Sequence, residues 1–174
     1  MIEEHVVLVD EGDREIGTME KIEAHAKGRL HRAFSILLFN SKGQVLIQKR
    51  AHTKYHSAGL WTNTCCSHPV PGESMKDATR RKLIQEMGID EPCQFFFKFM
   101  YRTELENNLV EHELDHVFLG KFDGEPSINL KEVEDFRWIS VEALRREIET
   151  APHTFTYWFK LIMSRPEMVA SEIV

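Results

Sequence analysis

The stretch WTNTCCSHP, Trp61 to Pro69, places two adjacent thiols two residues ahead of a histidine in a segment too polar to be core. His25 and His31 bracket AKGRL, and the triplet EHE sets Glu111 and Glu113 two residues apart. Successive strand side chains alternate between faces, so in a β-strand Glu111 and Glu113 project together and His112 points the other way. Two carboxylates on one face repel and call for a positive group between them. A divalent cation held by the imidazoles of His25, His31 and His68 and these two carboxylates answers that need. Taken singly, each histidine also fits a solvated or core position, and the two glutamates also fit the wet face of an edge strand.

The elements that must position these groups follow from pattern. HVVLVD (His5 to Asp10) and EIGTMEK (Glu15 to Lys21) flank the turn-forming EGDR and predict an opening β-hairpin. AFSILLFN (Ala33 to Asn40) and QVLIQKR (Gln44 to Arg50), joined by SKG with Gly43 able to take positive φ, predict a second hairpin at the centre of a sheet. ESMKDATRRKLIQEMG predicts a helix capped by Ser74 and ended by Gly88, with Asp77 giving a weaker version of the capping box. QFFFKFMYRTE and NLVEHELDHVFLGKF alternate as strands, and SVEALRREIE and FTYWFKLIM read as helices. The order predicts an α/β fold with a mixed β-sheet between helical layers.

Length and composition bound the function. A chain of 174 residues, 42% hydrophobic and 29% charged, has the composition and size of one globular domain, 1–174. A formal net charge of −6 argues against nucleic acid as a partner. No apolar run approaches the roughly 20 residues of a membrane span, and the acidic start MIEEHVVLVDEGDRE is unlike a secretory signal. The expected location is cytoplasmic, with Cys65, Cys66 and Cys93 reduced.

From Ser67 the chain reads five residues, Glu73, seven residues, Arg81, then Lys82-Leu83-Ile84-Gln85-Glu86-Met87-Gly88. This resembles the Nudix box, a loop-helix-loop that binds a divalent metal and a diphosphate. The departures are Ser67 for the leading Gly, and Lys82 and Gln85 for two helix acids, which leave Glu86 alone of those acids. A hydrolase needing several helix carboxylates for its metals would be crippled here.

That loss beside TNTCCSHP, GES, the Tyr101-Arg102 pair, EHELDHVF and FTYWF resembles the type 1 isopentenyl diphosphate isomerases of the Nudix superfamily, over nearly the whole chain. The resemblance implies a Nudix-type α/β/α sandwich. It implies conversion of isopentenyl diphosphate to dimethylallyl diphosphate, the step that supplies isoprenoid synthesis with its allylic starter. The matching proton-handling residues are Cys66 and Glu113, with Tyr101 near that carboxylate and Trp158 as the aromatic that steadies a carbocation. Cys65 is expected to be a small buried neighbour facing away. His25, His31, His68, Glu111 and Glu113 match a five-ligand site for Zn²⁺ or Mn²⁺ (or Mg²⁺). Glu86 matches the acid that holds Mg²⁺ with the Cys66 main chain and the substrate's diphosphate. Lys21, Arg50, Lys54 and Lys82 match diphosphate-binding positions. The expected partner is the small-molecule substrate alone, the protein being a monomer or weak dimer. Two rival readings are a Nudix diphosphate hydrolase, which would release phosphate fragments, and a zinc-binding module, which would turn over nothing.

Overall fold

In the computed structural model residues 4–169 are described; of the acidic start and the 1–174 span, residues 1–3 and 170–174 lie outside them. The opening hairpin is present: β1 (His5–Val9) pairs antiparallel with β2 (Glu15–Glu20). Lys21, expected at the end of the second strand, instead begins a short helix, α1 (Lys21–Ala26). The cause is Glu20, whose carboxylate accepts from the backbone N–H groups of Ile22 and Glu23 and so caps a helical turn.

The central hairpin is β3 (His31–Phe39) and β4 (Gln44–Arg50), and here the structure departs from expectation. The two strands pair at Phe39 and Val45 beside the turn, where Gly43 takes φ 73°, and then part. The stretch from Trp61 to Ser67 fills the gap, pairing with β4 through β5 (Trp61–Thr62) and with β3 through β6 (Cys65–Ser67). At the crossing point Thr64 Oγ1 accepts from Leu38 N at 2.9 Å and donates to Leu46 O at 2.6 Å, so one hydroxyl replaces the missing backbone ladder. Asn63 Nδ2 donates to Ile36 O and Cys65 O, and Gln48 Nε2 donates to Thr64 O.

The predicted helix is α2 (Met75–Met87), with the Ser74 hydroxyl accepting from Asp77 N and Gly88 closing it at φ 66°. A side chain at Gly88 would also meet Ser127 O at 2.7 Å, so the position excludes larger residues twice over. β7 (Gln94–Glu104) and β8 (Val110–Lys121) form a long hairpin, and β8 runs parallel to β3 from His31–Glu113 to Phe39–Lys121. β9 (Val133–Ser140), unforeseen in the sequence, pairs antiparallel with β4. α3 (Val141–Thr150), α4 (Tyr157–Ser164) and the short α5 (Pro166–Val169) complete the described chain.

The result is one nine-stranded mixed sheet with helices on both faces. The alternation of β3 divides the core. Phe34, Ile36 and Leu38 pack with Ala78, Leu83 and Met87 of α2, whereas Leu37 and Phe39 pack with Leu144 of α3 and Trp158, Phe159 and Ile162 of α4. Because both layers are anchored on β3, the strand split by Thr64 sets where each face opens.

Thr64→Val keeps the side-chain shape but strands the buried Leu38 N–H and Leu46 C=O. Two such groups are expected to cost about 2–4 kcal/mol, read as a lowered urea midpoint with unchanged slope. A loss below about 0.5 kcal/mol, no more than an ordinary surface substitution, would show that the bridge does not hold the strands apart.

Candidate active site

Register determines which thiol faces the site. Cys66 lies opposite Ser35 and Cys65 opposite Ile36, so the two project to opposite faces of the sheet. Cys65 is fully buried beneath α2, its Sγ donating to Glu86 Oε2 at 3.2 Å. Cys66 lies on the α4 face, half-buried. Burial pushes the Cys66 thiol up to about 12 against the pull of the nearby Arg50 guanidinium, so it rests protonated. Burial likewise raises Cys65, and Cys65, Cys66 and Cys93 are all free thiols.

On the other edge of β3, the parallel register sets Glu113 opposite His31, and β7 sets Tyr101 opposite Glu113. The Tyr101 hydroxyl donates to Glu113 Oε2 at 2.9 Å, and burial raises its own pKa well above the usual phenol value. Glu111 and Glu113 are buried on one face as the alternation required, while His112 turns away with Nδ1 donating to Gly28 O. Two residues further along the same face, buried Asp115 accepts from Ser35 Oγ at 2.7 Å, and burial raises its pKa to about 8.

Around these carboxylates the imidazoles converge. α1 ends on His25, whose Nδ1–H donates to Lys21 O at 2.7 Å; His31 Nδ1–H donates to Arg29 O at 2.9 Å. A carbonyl only accepts, so both rings carry a proton on Nδ1 and turn Nε2 inward. His31 Nε2 lies 3.3 Å from both His68 Nε2 and Glu113 Oε1, and His68 Nε2 lies 2.9 Å from the same oxygen. The loop carrying His68 is tied down by Arg81, which forks onto Glu73 at 2.7 and 2.9 Å and donates to His68 O. Burial lowers His25 and takes His68 down to about 4, in each case favouring the uncharged ring.

Ligand atoms of His25, His31, His68 and Glu113 all lie within 4.8 Å of one another, a group that could hold a metal ion. Glu111, expected in the same set, falls in an overlapping set with His25 and His56. Burial opposes the charge on Glu113, but the hydrogen bonds from His31 and His68 outweigh it and hold its carboxyl well below the ordinary value. Glu111 is raised instead, by burial and by the charge of Glu113. His25 Nε2 and Glu111 Oε2 are buried with no hydrogen-bond partner. Inward-turned Nε2 atoms, a second carboxylate and two orphaned buried atoms make a donor set that fits a divalent cation.

Cys66, His68, Glu111 and Glu113 line one open cleft, together with all four expected cations, Lys21, Arg50, Lys54 and Lys82. Three of those cations are already partnered: Lys21 by Glu4 at 2.5 Å, Lys54 by Glu132 at 2.5 Å and Lys82 by Glu86 at 3.6 Å. Arg50 donates to Ser57 O and His56 O and lies over the Trp158 ring at 5.3 Å. Trp158 also lines the cleft, with Nε1 donating to Asn63 Oδ1 at 3.2 Å, so the segment that aims Cys66 also orients the indole. Glu86 lines it too, and Gln48 donates to Glu86 Oε2 at 3.1 Å, while Gln85 is exposed and Arg102 is exposed on β7. Sequence reasoning missed Tyr55, His56 and Glu132 among the lining, since they sit in loops or before a strand without periodicity.

The NUDIX domain model matches residues 29–159. An isopentenyl-diphosphate Delta-isomerase 2 of Photorhabdus laumondii is 53% identical, covering 94% of this chain and 92% of that protein. An isopentenyl-diphosphate Delta-isomerase 1 of Aromatoleum aromaticum is 49% identical, covering 94% and 93%. Among solved structures, DR0079 from Deinococcus radiodurans aligns with TM-score 0.76 over 93% of this chain and 100% of its own, at 19% identity. A MutT NUDIX hydrolase from Burkholderia pseudomallei aligns with TM-score 0.61 over 79% and 98%, at 18% identity; at such identities the likeness concerns the fold alone. With this sheet, this degraded helix motif and these relatives, the chain belongs to the NUDIX-domain family and, within it, to the isopentenyl-diphosphate Delta-isomerases.

Proposed function

We propose that the protein converts isopentenyl diphosphate to dimethylallyl diphosphate by protonating the alkene at one carbon and removing a proton from another. The observation that carries this reading is the joint placement of Cys66 and Glu113 on one sheet face, on either side of β3, in a single cleft with Trp158. Moving a carbon–carbon double bond by one position needs two proton-handling groups around a five-carbon chain, and these two side chains are disposed for it. A substrate entering the cleft would set its diphosphate against Lys21, Arg50, Lys54 and Lys82, displacing Glu4 and Glu132 from their lysines.

The five-carbon end would then face Cys66, Glu113 and Trp158. Cys66, protonated at rest, exchanges its proton at Sγ; Glu113 exchanges its proton at a carboxylate oxygen, held in place by the Tyr101 hydroxyl. Protonation of the alkene leaves a tertiary carbocation, which the Trp158 face steadies and which the packed wall around it shields from water. Zn²⁺ or Mn²⁺ (or Mg²⁺) among His25, His31, His68, Glu111 and Glu113 would bind and orient the two buried carboxylates. Glu86, the Cys66 carbonyl and the diphosphate would hold Mg²⁺, which neutralises phosphate charge. Cys65, on the opposite face, packs and hydrogen-bonds but does not reach the substrate.

The finer expectations belong to this proposal: one domain, a monomer or weak dimer acting in the cytoplasm, with no nucleic-acid or membrane partner. No helix among the described residues is long and apolar enough to cross a membrane.

Purified protein loaded with Mg²⁺ and Zn²⁺ is expected to yield dimethylallyl diphosphate; orthophosphate or pyrophosphate as the main product would support hydrolysis instead. Cys66→Ala is expected to slow turnover roughly 100- to 10,000-fold, the usual contribution of a positioned acid–base group, while Cys65→Ala stays active. The reverse order would move the chemistry to the other thiol. Thorough chelation is expected to abolish turnover, and full activity in protein shown metal-free by elemental analysis would remove the cation from the account.

A further inference from the structure

His56 stands beside the cation site and has no part in the five-ligand reading. It is buried at 3% exposure, and its backbone is pinned by Arg50 Nη2 donating to His56 O at 3.0 Å. Its Nδ1 lies 3.1 Å from Ser57 Oγ, a hydroxyl able to accept from Nδ1–H, so the ring has a partner on one nitrogen, where His25 has Lys21 O and His31 has Arg29 O. Metal-bound imidazoles characteristically have such an anchor, because it fixes the tautomer and aims the other nitrogen. The Nε2 of His56 is aimed at Glu111 Oε1 from 3.7 Å, too far for a hydrogen bond but close enough for two donors to share one ion. Its ring sits 5.7 Å from the His25 ring and meets Trp158 edge-on at 5.8 Å.

One ligand atom each from His25, His56 and Glu111 fall within 4.8 Å of one another, and two of these residues carry a buried atom without a hydrogen-bond partner, His25 Nε2 and Glu111 Oε2. We infer that His56 is a further ligand of the divalent cation, entering through Nε2 beside His25 and Glu111. The inference rests on the proposed cation site and adds an imidazole to it. With His56 the candidate donors become six, four imidazoles and two carboxylates, drawn from two groups that share His25. Such a nitrogen-rich set favours Zn²⁺, Co²⁺ or Mn²⁺ over Mg²⁺, whose preference is for oxygen. It also makes the Trp158 contact a link between the ion and the aromatic wall of the cleft.

The full chain loaded with Co²⁺ permits a direct count. Each imidazole bound through Nε2 gives a paramagnetically shifted Nδ1–H proton signal that vanishes in D₂O. His56→Phe, which keeps a ring against Trp158, is expected to lose one such signal, keep the others, and weaken Co²⁺ binding on the order of 10- to 100-fold or more. All signals retained at unchanged affinity would overturn the assignment and leave His56 as packing. Absence of any shifted ring signal in the unaltered chain would instead sink the cation site itself. X-ray absorption of the unaltered zinc-loaded chain needs no variant: four imidazoles about the ion are expected, and three would exclude His56.

Discussion

One threonine hydroxyl governs how this sheet opens. Thr64 stands between two strands that a tight turn would otherwise zip together, and it satisfies a donor on β3 and an acceptor on β4 at once. Everything in the cleft depends on that insertion. Parting the strands admits β6, the register of β6 sends Cys66 to one face and Cys65 to the other, and Asn63 carries the same constraint to Trp158. A slip of one residue would exchange the two thiols, since side chains on a strand alternate strictly. The chain has therefore bound its thiol placement to buried hydrogen bonds, which are costly to leave unmade, rather than to loop packing.

A second constraint is electrostatic. Glu111, Glu113 and Asp115 are consecutive same-face residues of β8, all buried, and no lysine or arginine ion pair offsets them among the described residues. Imidazoles surround Glu111 and Glu113, and Ser35 meets Asp115. These rings turn Nε2 toward the carboxylates and make with them a group that could hold a metal ion, and His25 Nε2 and Glu111 Oε2 within it are buried without a hydrogen-bond partner. The arginine and lysine side chains line the same cleft, Arg50 and Lys82 buried within it, where an anionic substrate would meet them. The α2 positions that a hydrolase fills with acids carry Lys82, buried against Glu86, and Gln85, exposed to solvent.

Much of this was legible in the sequence where chemistry and periodicity coincided. The alternation in EHELDH assigned Glu111 and Glu113 to one face, and the cap residues Ser74 and Gly88 bounded α2 correctly. The thiols and histidine of TNTCCSHP were readable as a site, but Thr62, Asn63 and Thr64, too polar for core by composition, are fully buried inside the sheet, where hydrogen bonds satisfy them. The parting of β3 and β4 was not readable, since SKG and two apolar runs specify a hairpin locally and the wedge comes from some twenty residues later. α1 escaped notice because it is six residues long and capped by a glutamate, a residue with little capping preference. β9 was hidden by its mixed burial, with Glu134 and Asp135 adjacent and both exposed. His56 was invisible for a different reason: its loop has no period, and only the fold brings it to Glu111.

The account makes the two hydrogens of the reaction solvent-exchangeable groups of the protein, Cys66 Sγ–H and a Glu113 carboxyl. The most direct measurement is a single pass of isopentenyl diphosphate over metal-loaded protein in D₂O, with product and label followed by NMR. The account predicts dimethylallyl diphosphate carrying deuterium in a methyl group, delivered by one group while the other removes a proton. Dimethylallyl diphosphate formed with no deuterium would mean that hydrogen migrates within the substrate, and the paired roles of Cys66 and Glu113 would be contradicted.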